Sequence, residues 1–319
     1  MQAKPKSELP LVSVIILYYK RLEHIEETIR SVTQQRYLKR EIIVVDNHSE
    51  DELKPRLEPF GSSLKLIELP ENRGATGGRN AGIGAARGDI LVFLDDDMSL
   101  RSVSALDNVV KYFQRCSDIH VLAFRVCDPD TGELRLREWC HPRHWKEFSE
   151  SEFETHWFCE GACGFRRTVF DRCGLYYEPL FYGAEGHDLA VRLLDAGFRI
   201  LYCPVIEAGH RAAKQGRTSD RQYFYFTRHF VWMAYKDYPL VAGVKFLLPK
   251  LLMMFYFAIR SGAYMPYAKG LWHGIVGLPA IRKDRTPVSK ATLGYWSHLE
   301  KFRPGLFVRL ARHRVEPQI

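Results

Sequence analysis

Ile90-Leu91-Val92-Phe93-Leu94-Asp95-Asp96-Asp97-Met98 is the stretch whose reading decides the fold. Five large apolar residues running straight into three carboxylates read as a strand buried on both faces, as in a sheet with helices on either side. The acids then stand at its C-terminal end, the edge at which open α/β sheets bind ligands. Three adjacent carboxylates repel one another unless a cation or hydrogen-bond donors share the site. In extended backbone Asp95 and Asp97 point one way and Asp96 the other, so one ion could bridge the first and third. Hard oxygen ligands suit Mg²⁺ or Mn²⁺ carrying a diphosphate rather than zinc. The plainer alternative is a solvated acidic turn, and the rest of the chain decides between the two.

Upstream, Leu11 to Leu17 is a buried strand followed by a loop at Tyr18-Tyr19-Lys20, and Leu22, Ile25, Ile29 and Val32 recur at helical spacing. Glu41 to Asp46 is a second buried strand ending in an acid, and Leu64 to Leu69 a third. Glu71 to Gly82 is a loop leading into a small-residue helix that runs to about Arg87, with Gly84 expected to let it pack closely and Gly88 to cap it. This order is a doubly wound α/β pattern with acids at the ends of the second and fourth strands, facing one crevice. A nucleotide is the economical ligand, with Asp46 near base or ribose and Asp95 and Asp97 near the phosphates. Taken alone, Asp46 reads rather as a helix-capping or turn residue. Gly82 to Gly88 imitates a dinucleotide fingerprint, but its glycines end a helix instead of following a strand.

At 319 residues and 46% hydrophobic content the chain can bury a full core, as one large domain or two. The first ten residues are polar and lack the apolar segment of a signal peptide, which predicts a cytosolic start. Seven cysteines, an odd number without a Cys-x-x-Cys pair, read as reduced packing residues. The net charge of +8 is unevenly placed: from Val241 onward there are 13 Lys/Arg against 3 Asp/Glu, and before it 33 against 35. A basic C-terminal quarter faces nucleic acid or an anionic membrane, and its neighbours decide which.

Four ordered motifs resemble the inverting glycosyltransferases of family 2, which have the GT-A fold and include cellulose and chitin synthases and many bacterial polysaccharide transferases. They are Ser13 to Tyr18, Glu41 to Asn47, Asn72-Arg73-Gly74 with Gly78 to Gly82, and Phe93 to Asp97 with its Asp-x-Asp (DXD) pattern. Further on, Gly161 to Phe170 is similar to the family's glycine-rich acceptor-side stretch. Leu180 to Arg192 looks like the acidic motif carrying the catalytic base, and Cys203 to His210 like the segment whose histidine approaches metal or diphosphate. The resemblance implies a nucleotide-sugar donor, UDP-, dTDP- or GDP-linked, with Mg²⁺ or Mn²⁺ held by Asp95, Asp97 and His210. Tyr18, Asp46, Arg73, Arg79, Asp95 and Asp96 are then donor ligands, although Arg73 and Arg79 could instead pair with Glu71 or Asp89. The family usually carries its base as the second of two adjacent acids, and that position is Gly186 here. The role falls to Glu185, in the loop before the helix, or to Asp188, which as a helix N-terminal acid also complements the dipole. A catalytically impaired scaffold and a sugar-phosphate nucleotidyltransferase are the alternatives; the latter lacks its glycine loop, since Tyr18 to Arg21 contains none.

The chain turns helical from Arg221, first with an aromatic-rich helix ending near Pro239. Phe246 to Ile259 is apolar but carries Pro249 and Lys250, and its 14 residues rise about 21 Å, short of the roughly 30 Å hydrocarbon core. An interfacial segment fits better, with Tyr264, Tyr267 and Trp272 as anchors and Arg282, Lys283, Arg285, Lys290 and the tail Lys301 to Arg314 facing anionic lipid. No nucleic-acid recognition motif accompanies these residues. The expected organisation is a GT-A domain over 8–235, divided at 98 into nucleotide and acceptor halves, and a basic apolar helical region over 236–319. The expected function is transfer of single sugars to a lipid-linked or cell-surface glycan, peripherally at the cytoplasmic membrane face.

Overall fold

The computed structural model describes residues 9–211 and 219–305. Expectations for the first eight residues and for the basic tail past 305 lie outside the described residues. The chain opens with β1 (Val12–Tyr18), α1 (Ile25–Thr33), β2 (Arg40–Asp46), α2 (Leu53–Leu57), β3 (Leu64–Glu68), α3 (Gly74–Ala85) and β4 (Ile90–Asp95). β5 (Met98–Leu100), α4 (Ala105–Arg115), β6 (Val121–Cys127), α5 (Trp145–Phe148), β7 (Phe153–Thr155), β8 (Ala162–Arg166) and α6 (Thr168–Cys173) follow. Then come α7 (Glu185–Asp195), β9 (Ile200–His210), α8 (Ser219–Lys236), α9 (Leu240–Arg260), α10 (Tyr264–Val276) and α11 (Lys290–Glu300).

Among the described residues the strands form one sheet in the order β3-β2-β1-β4-β8-β6-β9-β5, with β7 on β9. β3, β2, β1 and β4 are parallel, β8 runs antiparallel between β4 and β6, and β6 and β9 are parallel again. The chain steps outward from β1 to β3 and returns on the other side of β1 as β4. That reversal makes the C-terminal ends of β1 and β4 the topological switch point. Tyr18 pairs with Asp46 and Leu17 with Asp95, so the two acid-tipped strand ends lie at one level, about 10 Å apart across β1.

Strand alternation sorts the core into two layers. Val14, Ile16, Val92 and Leu94 pack with α1 and α4, whereas Ile15, Val45, Leu91 and Phe93 pack with α3, α6 and α7. This is the α/β architecture expected for the acid-tipped strand, buried on both faces. One detail differs. The extended backbone stops at Asp95, and Asp96 and Asp97 form a turn into β5, so period-two alternation does not govern the triplet.

Two glycine expectations are also corrected. Gly84 is exposed and a Cβ there would meet nothing within 4 Å; Gly78 and Gly82 are the close-packing positions, against Leu17 and Ile15. The helix ends at Ala85 and is capped by Ala86, and Gly88 serves a different purpose, since a Cβ there would lie 2.6 Å from Ser13 N and 2.7 Å from Leu11 O. A further correction concerns α9, which starts six residues before the apolar run does and has 21 residues, about 31 Å. By length and composition it could cross a membrane. It carries Pro249 inside it.

These contacts give opposite expectations for two Gly→Ala changes. Gly88→Ala pushes on β1 backbone and should lower the unfolding free energy by about 1–3 kcal/mol in urea titration. Gly84→Ala, at an exposed helix interior, should raise it by about 0.5–1 kcal/mol.

Candidate active site

The site is assembled around Arg79. The absence of side chains at Gly78 and Gly82 seats α3 directly on β1 and brings Arg79, 3% exposed, to the sheet edge. Its Nη2 donates to Asp95 Oδ1 at 2.7 Å and its Nη1 to Glu185 Oε1 at 3.1 Å, with the Tyr176 ring centroid 5.9 Å from the guanidinium. One cation therefore ties the acid-tipped strand β4 to the first residue of α7. Glu185 is buried, its Oε2 has no hydrogen-bond partner among the described residues, and burial pushes its carboxyl upward even against Arg79. Arg73 does not pair with Glu71 or Asp89 either: its Nη2 lies 2.8 Å from both oxygens of Glu178.

The loop in front of Glu185 is strained. Phe181 and Ala184 adopt φ of 59° and 66°, unusual for residues with a Cβ, and Gly183 lies between them at 84°. The loop is held from two sides. α3 contributes Gly74, whose missing side chain leaves room for Phe181 O. α8 contributes His229, whose Nδ1 is 2.7 Å from Gly183 O.

Asp96 and Asp97 share a second cation, Arg21, which follows β1. Its Nη1 lies 3.0 Å from Asp96 Oδ1 and also pairs with Asp97 Oδ2. Asp96 accepts from Tyr19 N at 2.8 Å, and burial drives its carboxyl up to about 8 despite Arg21. At the end of β9, His210 Nε2 is 3.5 Å from Asp97 Oδ2 and its Nδ1 3.3 Å from Glu138. Burial alone would lower the imidazole, but these two carboxylates raise it to about 9. Carboxylates with an adjoining imidazole suit a divalent cation in donor chemistry. Among the described residues no three His, Cys, Asp or Glu side chains form a ready-made cage. An ion here fits the Mg²⁺-like pattern of one or two protein carboxylates completed by phosphate oxygens and water.

Other candidates lie apart from this cluster. Tyr18 is fully buried with its hydroxyl donating to Asp51 Oδ2 at 2.7 Å, so its side chain faces the core and not the crevice. Asp46 is 8% exposed and accepts from Ser49 N at 2.9 Å, the turn role considered for it. Beside it, Asn47 accepts from Arg73 N and donates to Gly74 O, organising the entry to α3. Asp188 points away from Glu185 into a separate buried cluster, with Oδ2 2.8 Å from Arg192 Nη2 and Oδ1 2.6 Å from Lys236 Nζ of α8. Against its burial, those two cations hold it down at about 2.

Two residues were not legible from sequence. Arg21 follows no motif, although a basic residue just after a strand whose neighbour ends in three acids is a usable signal. Glu160 sits just before the glycine-rich stretch, and its carboxylate accepts from Gly186 N at 2.7 Å. Nothing in linear spacing relates positions 160 and 186.

The Asp188 cluster makes a stability prediction. Asp188→Asn removes the buried carboxylate that Arg192 and Lys236 share, leaving Asp237 as the remaining acid beside Lys236, and should cost about 3–5 kcal/mol at neutral pH. Because the folded carboxyl is depressed, its contribution is full above the unfolded value of 3.8 and disappears as pH falls through about 2. Urea midpoints of wild type and variant should therefore converge across that acid window.

Residues 13–174 match the model of glycosyl transferase family 2, just over half of the chain. Glycosyltransferase AglE of Haloferax volcanii is 41% identical over 98 residues, which take in 29% of this chain and 32% of AglE. Such curated relatives are thus matched over only part of their length. Among solved structures, S. aureus TarS 1-349 in complex with UDP-GlcNAc superposes with a TM-score of 0.60 at 18% identity, over 96% of this chain and 92% of that one. The mannosyltransferase PcManGT from Pyrobaculum calidifontis, in complex with GDP-Man and Mn²⁺, gives 0.57 at 19%, over 98% and 89%. With the acid-tipped strand at the switch point and the family motifs in order on one sheet edge, this chain belongs to glycosyl transferase family 2 and has the GT-A fold.

Proposed function

We propose that the protein moves a sugar from a nucleotide-diphosphate donor to a hydroxyl of a lipid-linked or cell-surface glycan, with inversion, by single additions, at the cytoplasmic membrane face. The observation that carries this reading is the convergence of Asp95, Asp96 and Asp97 with Arg79, Arg21 and His210 at one switch point. Complexes of the neighbouring folds with GDP-Man and UDP-GlcNAc support a nucleotide-sugar donor, and those with Mn²⁺ a divalent ion. Asp95 and Asp97, with His210 adjoining, are the residues that would hold Mg²⁺ or Mn²⁺. When bound, such an ion neutralises charge on a diphosphate leaving group. The protein's own part is to place Arg79 and Arg21 as fixed positive charge beside that group and to keep the buried side of the cleft dry.

The acceptor side of the proposal rests on the C-terminal helices. α9 leaves Val241, Val244, Leu248, Leu252, Phe255 and Ile259 exposed at three- and four-residue spacing, a single apolar stripe. α10 adds Tyr264, Met265, Trp272 and Ile275. The opposite face of α9 packs on the protein, with Lys250 Nζ 4.8 Å from the ring centroid of Phe230 on α8. A helix with one face on protein and an apolar stripe on the other is shaped to lie on a bilayer. Exposed Lys245, Arg260, Lys269, Arg282 and Lys283 supply charge for anionic lipid, each worth about 1 kcal/mol near the surface.

Two measurements test these statements. In a screen of uridine, thymidine and guanosine diphosphate sugars, one nucleotide class should raise the thermal midpoint in a Mn²⁺-dependent way. Asp97→Ala should abolish that shift and reduce nucleoside diphosphate release by about 10²–10³-fold. Binding by no donor under any metal condition would favour the scaffold reading. In vesicle sedimentation, phosphatidylglycerol-containing vesicles should retain the protein and neutral phosphatidylcholine should retain it about tenfold less, with Leu248→Glu/Leu252→Glu releasing it from both.

A further inference from the structure

We infer that Glu160, from the loop before β8, is the general base of the transfer reaction, occupying the space that Gly186 leaves at the start of α7. The assignment rests on the glycosyl-transfer reading above. A Cβ built on Gly186 would overlap Glu160 Oε1 and lie 2.5 Å from Glu160 Cδ and 2.8 Å from Cγ. The carboxylate and a side chain at 186 therefore compete for one volume, and this chain fills it from position 160. The missing acid of the family motif is replaced in space by one from a different segment.

Glu160 is equipped for the task in ways that its rivals are not. Its Oε1 is anchored by the Gly186 amide at 2.7 Å, within the positive first turn of an 11-residue helix. No other side chain hydrogen-bonds or ion-pairs with the Glu160 carboxylate among the described residues, and the residue is only half-buried. Glu185 also keeps one oxygen free, but its other oxygen is held by Arg79 and the residue is 6% exposed, while Asp188 is fully buried between Arg192 and Lys236. The next residue connects Glu160 to the diphosphate side: Gly161 O accepts from Asp95 N at 3.3 Å, and a Cβ at Gly161 would lie 2.5 Å from the Asp95 carboxylate. Base and leaving-group sites are thus one residue apart. Burial and the nearby Glu185 lift the Glu160 carboxyl to about 7, against Arg79 and the Gly186 amide, in the range where a carboxylate base works best near neutrality.

In the step itself, the acceptor oxygen forms its bond to the anomeric carbon as its proton passes to Glu160 Oε2. The bond from that carbon to the β-phosphate oxygen breaks on the opposite side, and its electron pair leaves with the nucleoside diphosphate. Glu185 acts as a positioning residue that orients Arg79 and, by repulsion, keeps the proton affinity of Glu160 high.

The test uses the full-length protein with Mn²⁺ and UDP-N-acetylglucosamine, GDP-mannose and dTDP-rhamnose, reading donor affinity by calorimetry and nucleoside diphosphate release with water as acceptor. Glu160→Gln keeps the contact with Gly186 N, so donor affinity and thermal midpoint should hold while release falls about 10²–10⁴-fold. Glu160→Ala clears the space at 186, and adding Gly186→Asp to it should recover release by about tenfold or more, because the carboxylate returns from the other side. Wild-type release by Glu160→Gln overturns the assignment, as does a loss of release matched by an equal loss of donor affinity. A wild-type protein that binds a donor but releases no diphosphate from any of the three fails the transfer reading itself, and the assignment falls with it.

Discussion

Arg79 is the constraint on which the site depends. Its guanidinium is buried, and each of its two terminal nitrogens meets a carboxylate from a different part of the chain, Asp95 at the end of β4 and Glu185 at the start of α7. Buried ion pairs of this kind roughly break even on stability, since desolvation offsets attraction. What the pairing does accomplish is geometric: the acid of the β4 turn and the acid of α7 are held at fixed separation about one rigid, planar fork. That arrangement in turn requires α3 to lie against β1, which only residues without side chains at 78 and 82 permit. Electrostatics at the site and close packing at the sheet are therefore a single requirement, met by Gly78-Arg79 and Gly82 together.

The layers and the crevice were legible because burial on both faces leaves an uninterrupted apolar run, and two such runs ended in acids. Glu41 to Asp46 and Ile90 to Asp95 needed no tertiary information. The differences lie at the ends of elements, where one residue more or less of regular structure decides where a side chain points. Tyr18 follows six strand residues and obeys their alternation into the core, so its hydroxyl finds Asp51 instead of the cleft. Asp96 and Asp97 leave the alternation because the chain turns, and both reach the same Arg21. Gly84 and Gly88 were separable only once the sheet lay beside them. α9 was underestimated because apolar content was counted from Phe246, whereas the helix begins at Leu240, just after Pro239.

The motif positions also differ in what they supply. At Asp188 the family-like spacing is present, yet the residue is spent on holding α7 to α8 through Lys236. At position 186 the spacing is broken, yet the space there holds the carboxylate of Glu160. A motif records which positions surround a site, but three-dimensional occupancy decides which atom fills it. Here the volume next to the α7 amide is preserved while its covalent origin differs.

The helical quarter is mechanically continuous with this chemistry. α8 touches the strained loop before Glu185 through His229 and grips α7 through Lys236, while its other side receives α10, where Gly274 brings a backbone 2.9 Å, by the position of a Cβ, from Val231. α11 completes the contact, its Thr292 donating to Asp195 at the end of α7. On the proposed interfacial reading, the surface that meets lipid and the helix that opens with Glu185 and Gly186 are thus built on one strut. A lipid-anchored acceptor then needs no flexible search: seating α9 on the bilayer fixes the height of the cleft above the headgroups, and the entropy of bringing acceptor and donor together falls on membrane binding in place of the chemical step.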